Sequence, residues 1–314
     1  MSGEGKVAFL FPGQGSQKAG MGKEAFEAYD VARRVFEAAD EALEFSLSTL
    51  CFEGPDETLK LTENTQPAIL TTSTALAEVL RASSVVPDYV AGHSLGEYSA
   101  LVAARALDLP AAVTLVRQRG LYMQEAVPVG EGAMAAILGL PTDEVERVCR
   151  DAAEGRVVEP ANLNGARQVV IAGHKDAVDR ACELAKERGA RRALALAVSA
   201  PFHCRLMEPA ALSLAPDLAA TCFSDLEVPL FTNVDAKPIT SGEEARDALR
   251  RQVVSPVRWE EIVEAMASSG VTRFVEVGPG TVLSGLVRKV VRGAETFSVS
   301  SPEGVNRLTE ALVV

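Results

Sequence analysis

Residues 85–106 read VVPDYVAGHSLGEYSALVAARA. The first eight, Val85 to Gly92, form a short apolar strand. Leu95 to Ala106, rich in alanine and leucine, have the spacing of a helix. Between them lies Gly92-His93-Ser94-Leu95-Gly96, a G-x-S-x-G flanked by strand and helix. That is the context a nucleophile elbow needs. A sharp turn there lifts the Ser94 hydroxyl off the sheet, and the two glycines permit the tight backbone. The N–H of Leu95 then sits at a helix N-terminus, aimed to donate to an oxyanion.

The pattern continues outward on both sides. KVAFLF (6–11) is a strand running into the turn PGQGSQ (12–17), and a helical segment follows over about 21–44. A helix is expected from Thr65 with Pro67 in its first turn, and Pro110 opens another. Strands alternating with helices imply a parallel α/β sheet. Residues 131–198 differ. GAMAAILGL reads as a strand and PTDEVERVCRDAA as a helix capped by Thr142. VVEPANLN and QVVIAGHK read as strands joined by an Asn164-Gly165 turn. A helix ending at Gly189 and the strand ARRALALAV complete the set. The order β-α-β-β-α-β is the ferredoxin-like plan. The expected organisation is an inserted domain over 131–198 and a discontinuous larger domain from 1–130 and 199–314. In the latter, VPLFTNV (228–234) and TRFVEVG are strands, and helices cover about 242–253 and 258–268.

The chain has 314 residues, 47% hydrophobic and 24% charged, enough to bury a large core. Its net charge of -12 argues against a nucleic-acid binder. Five scattered cysteines, none in a CxxC pair, argue against a disulfide framework and a zinc site. The apolar run Val7–Phe11 is too short for a signal-peptide core, and no apolar stretch has membrane-spanning length. A cytoplasmic protein without a membrane partner is expected.

Ser94 needs a base, and there are three histidines. His93, next to Ser94, should leave the elbow in another direction and orient the turn. His174 reads as a surface loop residue. His203, in SAPFHC where the chain leaves the inserted domain, is placed to overlook a cleft between domains. Cys204 beside it should point away and pack. PGQGSQ lacks the third glycine of a dinucleotide fingerprint, which would fall at Lys18. Its Gln14 could offer an amide N–H to an oxyanion. Arg119 lies in an otherwise apolar helix, and such an arginine wants a carboxylate, which a substrate could supply.

PGQGSQ, GHSLGEYSALVAARAL, RQRGLYMQEA, GAMAAILGL, QVVIAGH, SAPFHC, FTNVDAKPI, QVVSPVRW and EVGPGTVLSGL follow in order over essentially the whole chain. Together they resemble the malonyl-CoA:acyl-carrier-protein transacylases of type II fatty acid synthesis, with the discrete acyltransferases of polyketide synthesis. The resemblance implies an α/β-hydrolase-like large domain carrying the inserted ferredoxin-like one. It implies Ser94 as nucleophile and His203 as base, the latter oriented by the backbone carbonyl of Gln252 rather than by an acid. It implies an oxyanion hole from Leu95 and Gln14, and Arg119 on the malonyl carboxylate. Met123, Gln66 and Asn164 are implied to line the pocket. Phe202, before the base, is the residue that in polyketide acyltransferases goes with malonyl rather than methylmalonyl. The implied partners are malonyl-CoA and a phosphopantetheinylated acyl carrier protein, with no metal or tightly bound cofactor, in a monomer. Carrier proteins are strongly acidic, so docking would need a local basic patch; Arg191-Arg192 and Arg288-Lys289 are the candidates. A serine hydrolase of acyl-carrier thioesters is the competing reading, and Arg119 speaks against it.

Overall fold

A computed structural model describes residues 5–198 and 200–312. The larger sheet is built from β1 (Lys6–Phe11), β2 (Tyr89–Gly92), β7 (Leu230–Phe231), β8 (Pro238–Ile239), β9 (Val271–Val277) and β10 (Glu295–Val299). Its order is β10-β9-β1-β2-β7-β8, parallel except for the β7–β8 pair. Alternation along β1 shows how both faces are buried. Phe9 and Phe11 join one core, while Ala8 and Leu10 join another with Phe274 and Trp259. A parallel sheet covered on both sides reads as such a continuous apolar run.

Helices α1 (Lys23–Ala28), α2 (Asp30–Leu43), α3 (Leu47–Glu53), α4 (Asp56–Leu59) and α5 (Thr62–Ala82) follow β1. The segment expected as one helix over 21–44 is two, because Tyr29 is extended at φ -131°. Helix α5 starts three residues before Thr65, so Pro67 lies inside it rather than in its first turn. Its lost N–H costs one bond to the first turn, and a fully buried flank compensates. Helices α6 (Leu95–Ala103) and α7 (Leu109–Glu125) follow β2. Asp108 caps α7, accepting from Ala111 N–H at 2.8 Å.

The second sheet comprises β3 (Gly132–Leu138), β4 (Val158–Leu163), β5 (Gln168–His174) and β6 (Arg192–Ala195), in the order β4-β5-β3-β6. Helices α8 (Thr142–Ala153) and α9 (Lys175–Glu187) cover one face through Val148, Ala181 and Ile171. Three expectations need correction here. Thr142 is the first residue of α8, and Pro141 holds the cap position without a side-chain bond. The β4–β5 link is four residues, 164–167, with Gly165, Ala166 and Arg167 all at positive φ, not a two-residue turn. His174 is no surface loop residue: it ends β5, and its Nδ1 accepts from Val157 N–H at 3.0 Å.

The chain returns through α10 (Glu208–Ala220), α11 (Gly242–Gln252) and α12 (Trp259–Ser268), then α13 (Val282–Val290) and α14 (Pro302–Leu312). The strand expected over 228–234 stops at Phe231, because Asn233 turns its N–H to the Glu97 carboxylate. Among the described residues, no helix is long and apolar enough to cross a membrane.

Candidate active site

The site forms where β2 ends at the carboxyl edge of the sheet, the usual place for ligands in open α/β folds. Ser94 sits between β2 and α6 at φ 53°, ψ -105°, a sparsely populated conformation that costs roughly 1–3 kcal/mol. The flanking glycines make it possible. A Cβ on Gly92 would lie 1.9 Å from the Gly96 carbonyl carbon, and one on Gly96 would lie 2.0 Å from Phe11 O. The PGQGSQ loop closes over this turn, with the Cβ position of Gly13 2.4 Å from His93 O.

Asn233 clamps the elbow, a role the sequence reading missed. Its Oδ1 accepts from Ser94 N–H at 2.7 Å, and its Nδ2 donates to Gly92 O at 2.7 Å. Asn233→Ala would strand both buried groups. At about 1–3 kcal/mol for each, the variant is expected to lose ~2–6 kcal/mol in urea denaturation. A loss below about 0.5 kcal/mol would show that the clamp is idle.

His203 meets Ser94 from the loop before α10, its Nε2 2.7 Å from Ser94 Oγ. Its Nδ1 lies 3.0 Å from the Gln252 carbonyl oxygen. A carbonyl only accepts, so the proton sits on Nδ1, and Nε2 presents its lone pair to the serine hydroxyl. Burial, with the nearby Arg119 charge, pushes His203 down to about 3, so the ring is a neutral base. Cys204 points away, as expected, and donates to Pro201 O at 3.1 Å.

Arg119 is 1% exposed. Gly120 lets α7 approach α5, since a Cβ there would fall 2.7 Å from Glu63 Cα. That approach brings Arg119 Nη1 within 2.8 Å of Gln66 Oε1. Nη2 donates to Ser94 Oγ at 3.1 Å and to Gln252 Oε1 at 2.9 Å. The guanidinium also lies 5.4 Å from the Tyr98 ring centroid. Among the described residues, no carboxylate touches it.

These groups line a cavity of about 120 Å³, the liquid volume of a few water molecules. Ser94, His203, Arg119, Gln66 and Met123 form its floor and walls, with Gln14, Leu95 and Phe202. Gln66 Nε2 faces Met123 Sδ at 3.9 Å. Asn164 is not in this wall. It stands behind the elbow, its Oδ1 3.0 Å from His93 Nε2, while Asn162 lines the cavity. Met134, Leu196 and Val198 also join the wall without having been anticipated. His93 is half-buried, joins the cavity wall and packs against Trp259 with ring centroids 5.5 Å apart. Among the described residues, no three His, Cys, Asp or Glu side chains are grouped to hold a metal ion.

A half-buried serine bonded to a buried histidine, a cation and a small cavity suit acyl transfer from a short donor that carries an anion. The comparisons agree in kind. Residues 8–305 match the acyl transferase domain family. The malonyl CoA-acyl carrier protein transacylase of Bacillus subtilis is 52% identical over 98% of this chain and 97% of its own. The solved malonyl CoA-acyl carrier protein transacylase of Coxiella burnetii superposes with a TM-score of 0.97. It is 44% identical, over 99% of this chain and 98% of its own. A malonyl-transacylase solved in complex with a type II polyketide synthase acyl-carrier protein has a TM-score of 0.95. It is also 44% identical, over 98% and 99% of the two chains. A match along nearly the whole sequence, on the same α/β fold, makes this chain a member of the acyl transferase domain family.

Proposed function

We propose that the protein transfers a malonyl group from malonyl-CoA to the phosphopantetheine thiol of an acyl carrier protein, in fatty acid or polyketide synthesis, through a malonyl-Ser94 ester. Arg119 carries this reading. A buried guanidinium whose partners among the described residues are two amides, a hydroxyl and the Tyr98 ring, with no carboxylate, is an anion site, and the donor's free carboxylate supplies the anion. A hydrolase of neutral acyl thioesters would have no use for it.

The steps follow from the geometry. Ser94 gives its proton to His203 Nε2 as Oγ attacks the thioester carbonyl. The Gln252 carbonyl holds Nδ1–H and favours the imidazolium that forms. The N–H groups of Leu95 and Gln14 receive the oxyanion, worth ~3 kcal/mol per donor. The intermediate collapses, and His203 returns the proton to the departing CoA sulfur. The carrier thiol gives its proton to His203 and attacks the ester, and Ser94 Oγ leaves, taking that proton back from His203. The donor carboxylate takes Arg119 Nη2 over from Ser94 Oγ, so substrate binding frees the nucleophile. The Phe202 ring narrows the room for an α-substituent and favours malonyl over methylmalonyl. None of these steps needs a metal ion or an organic cofactor. One chain supplies every group named, which suits a monomer. All five cysteines are free, as in a reducing cytoplasm. The reading is tested by loading a purified phosphopantetheinylated carrier from malonyl-CoA and from acetyl-CoA. Efficient loading from malonyl-CoA alone is expected, and hydrolysis without carrier loading would reject it.

An acidic carrier needs cations on a protein of net charge -12. Arg191 and Arg192 are exposed where β6 begins, beside the exposed Arg167 whose carbonyl receives Gly139 N–H. The Cβ position of Gly165 lies 2.6 Å from Val290 Cγ2, which brings exposed Arg288 and Lys289 alongside. Among the described residues, none of these five forms an ion pair. Charge reversal at both pairs is expected to raise the carrier KM about tenfold or more and weaken its salt dependence. The malonyl-CoA half-reaction should stay unchanged. An unaltered carrier KM at low salt would place docking elsewhere.

A further inference from the structure

Glu97 is buried beside this machinery without being part of it. It lies three residues after Ser94, so one turn of α6 points it back beneath the elbow. It is 1% exposed. Its Oε2 accepts from Gln252 Nε2 at 2.6 Å, and both oxygens face Asn233 N–H at 3.3 Å. The second hydrogen of Gln252 Nε2 goes to Ser94 O at 3.0 Å, while Gln252 Oε1 accepts from Arg119. Gln252 is therefore a hub. Its main chain orients His203, its amide oxygen holds Arg119, and its amide nitrogen ties α11 to the elbow.

An amide in this position could face either way, and its neighbours decide. A carboxylate only accepts, and a guanidinium only donates. Reversing the amide would set NH2 against Arg119 and oxygen against Glu97, two repulsions at once. Glu97 also lends Arg119 a countercharge, one amide away. An ionised carboxylate this deep is costly unless fully bonded, so stability alone does not account for it.

We propose that Glu97 is a positioning residue for acyl transfer: through the Gln252 amide it holds Arg119 at the acyl pocket and the Gln252 carbonyl on His203. The proposal rests on the malonyl-transfer reading. Burial pushes the Glu97 carboxyl up to about 7. The groups facing it are Gln252 from α11, Asn233 and Asp235 from the loop after β7, Arg119 from α7 and Tyr98 from α6. Gln252, Asn233 and Arg119 favour its ionised form, and Asp235 opposes it. The positioning form is the ionised one, so activity should fall as pH drops through about 7. His203, far lower, cannot produce that fall.

The test is the pH profile of kcat/KM for malonyl-enzyme formation, which reports groups of the free enzyme. The wild type should show an acid limb near pH 7. Glu97→Gln should lose that limb, run ~10–100-fold below the wild-type plateau, and discriminate less between malonyl-CoA and acetyl-CoA. A limb retained in Glu97→Gln, or wild-type rates and selectivity in it, overturns the proposal. Should that variant not fold, Glu97→Asp keeps the charge but falls short of Gln252. Reduced malonyl-over-acetyl preference supports the proposal there, and unchanged preference overturns it. Failure of wild-type protein to form any malonyl-enzyme would overturn the malonyl-transfer reading and this proposal with it. An unchanged limb in a working variant overturns the proposal alone.

Discussion

Ser94→Ala protein is expected to fold normally and to transfer malonyl groups at least ~10⁴-fold more slowly than wild type. Among the described residues, the Ser94 hydroxyl is the oxygen hydrogen-bonded to His203 Nε2, at 2.7 Å, and the elbow offers no second nucleophile. Alanine keeps the backbone bonds to Asn233, and at positive φ it is strained about as much as serine. Thermal unfolding should therefore change little while acyl-enzyme formation disappears. Quench-flow with labelled malonyl-CoA, beside a circular dichroism melt, separates the two effects. Transfer within tenfold of wild type would mean that Ser94 does not carry the acyl group.

Arg119→Ala should reverse selectivity rather than abolish chemistry. Losing a buried charge-assisted pair costs on the order of 2–5 kcal/mol, or roughly 30-fold to several thousand-fold in kcat/KM for malonyl-CoA. Neutral acyl donors, which make no such pair, should be transferred as well as before or better. A second signature follows from sign. The Arg119 charge helps hold His203 down. Without it the imidazole pKa rises toward its ordinary value, and an acid limb from His203 moves to higher pH. Competition between malonyl-CoA and acetyl-CoA, run across pH, reads both effects. Unchanged preference in the variant would remove Arg119 from the acyl pocket.

The parts legible in the sequence were those written in short range. The elbow announces itself because strand, Gly-x-Ser-x-Gly and helix are contiguous. Arg119 stands out as a cation among apolar helix residues, and Gln14, Leu95, Met123 and Phe202 lie on the cavity through motifs quoted whole. What the sequence hid was pairing across distance. Asn233 reaches Ser94 across 139 positions and Gln252 reaches Glu97 across 155, and no local periodicity encodes either contact. Asn164 was assigned to the pocket, yet it is Asn162 of β4 that faces the cavity, while Asn164 bonds to His93. Only the packing of the second sheet on the first decides that. The shortened β7 has the same origin. Its apolar run looks like seven strand residues until Asn233 is drawn off to Glu97.

Identifying the residue that bears the acyl group tests the account most directly. Wild-type protein is incubated with malonyl-CoA without carrier, quenched in acid, digested and mapped by mass spectrometry. One malonyl ester on the peptide containing Ser94, discharged when phosphopantetheinylated carrier is added before the quench, is the expected result. A malonyl group on any other residue, or carrier loading with no covalent intermediate at Ser94, would contradict it.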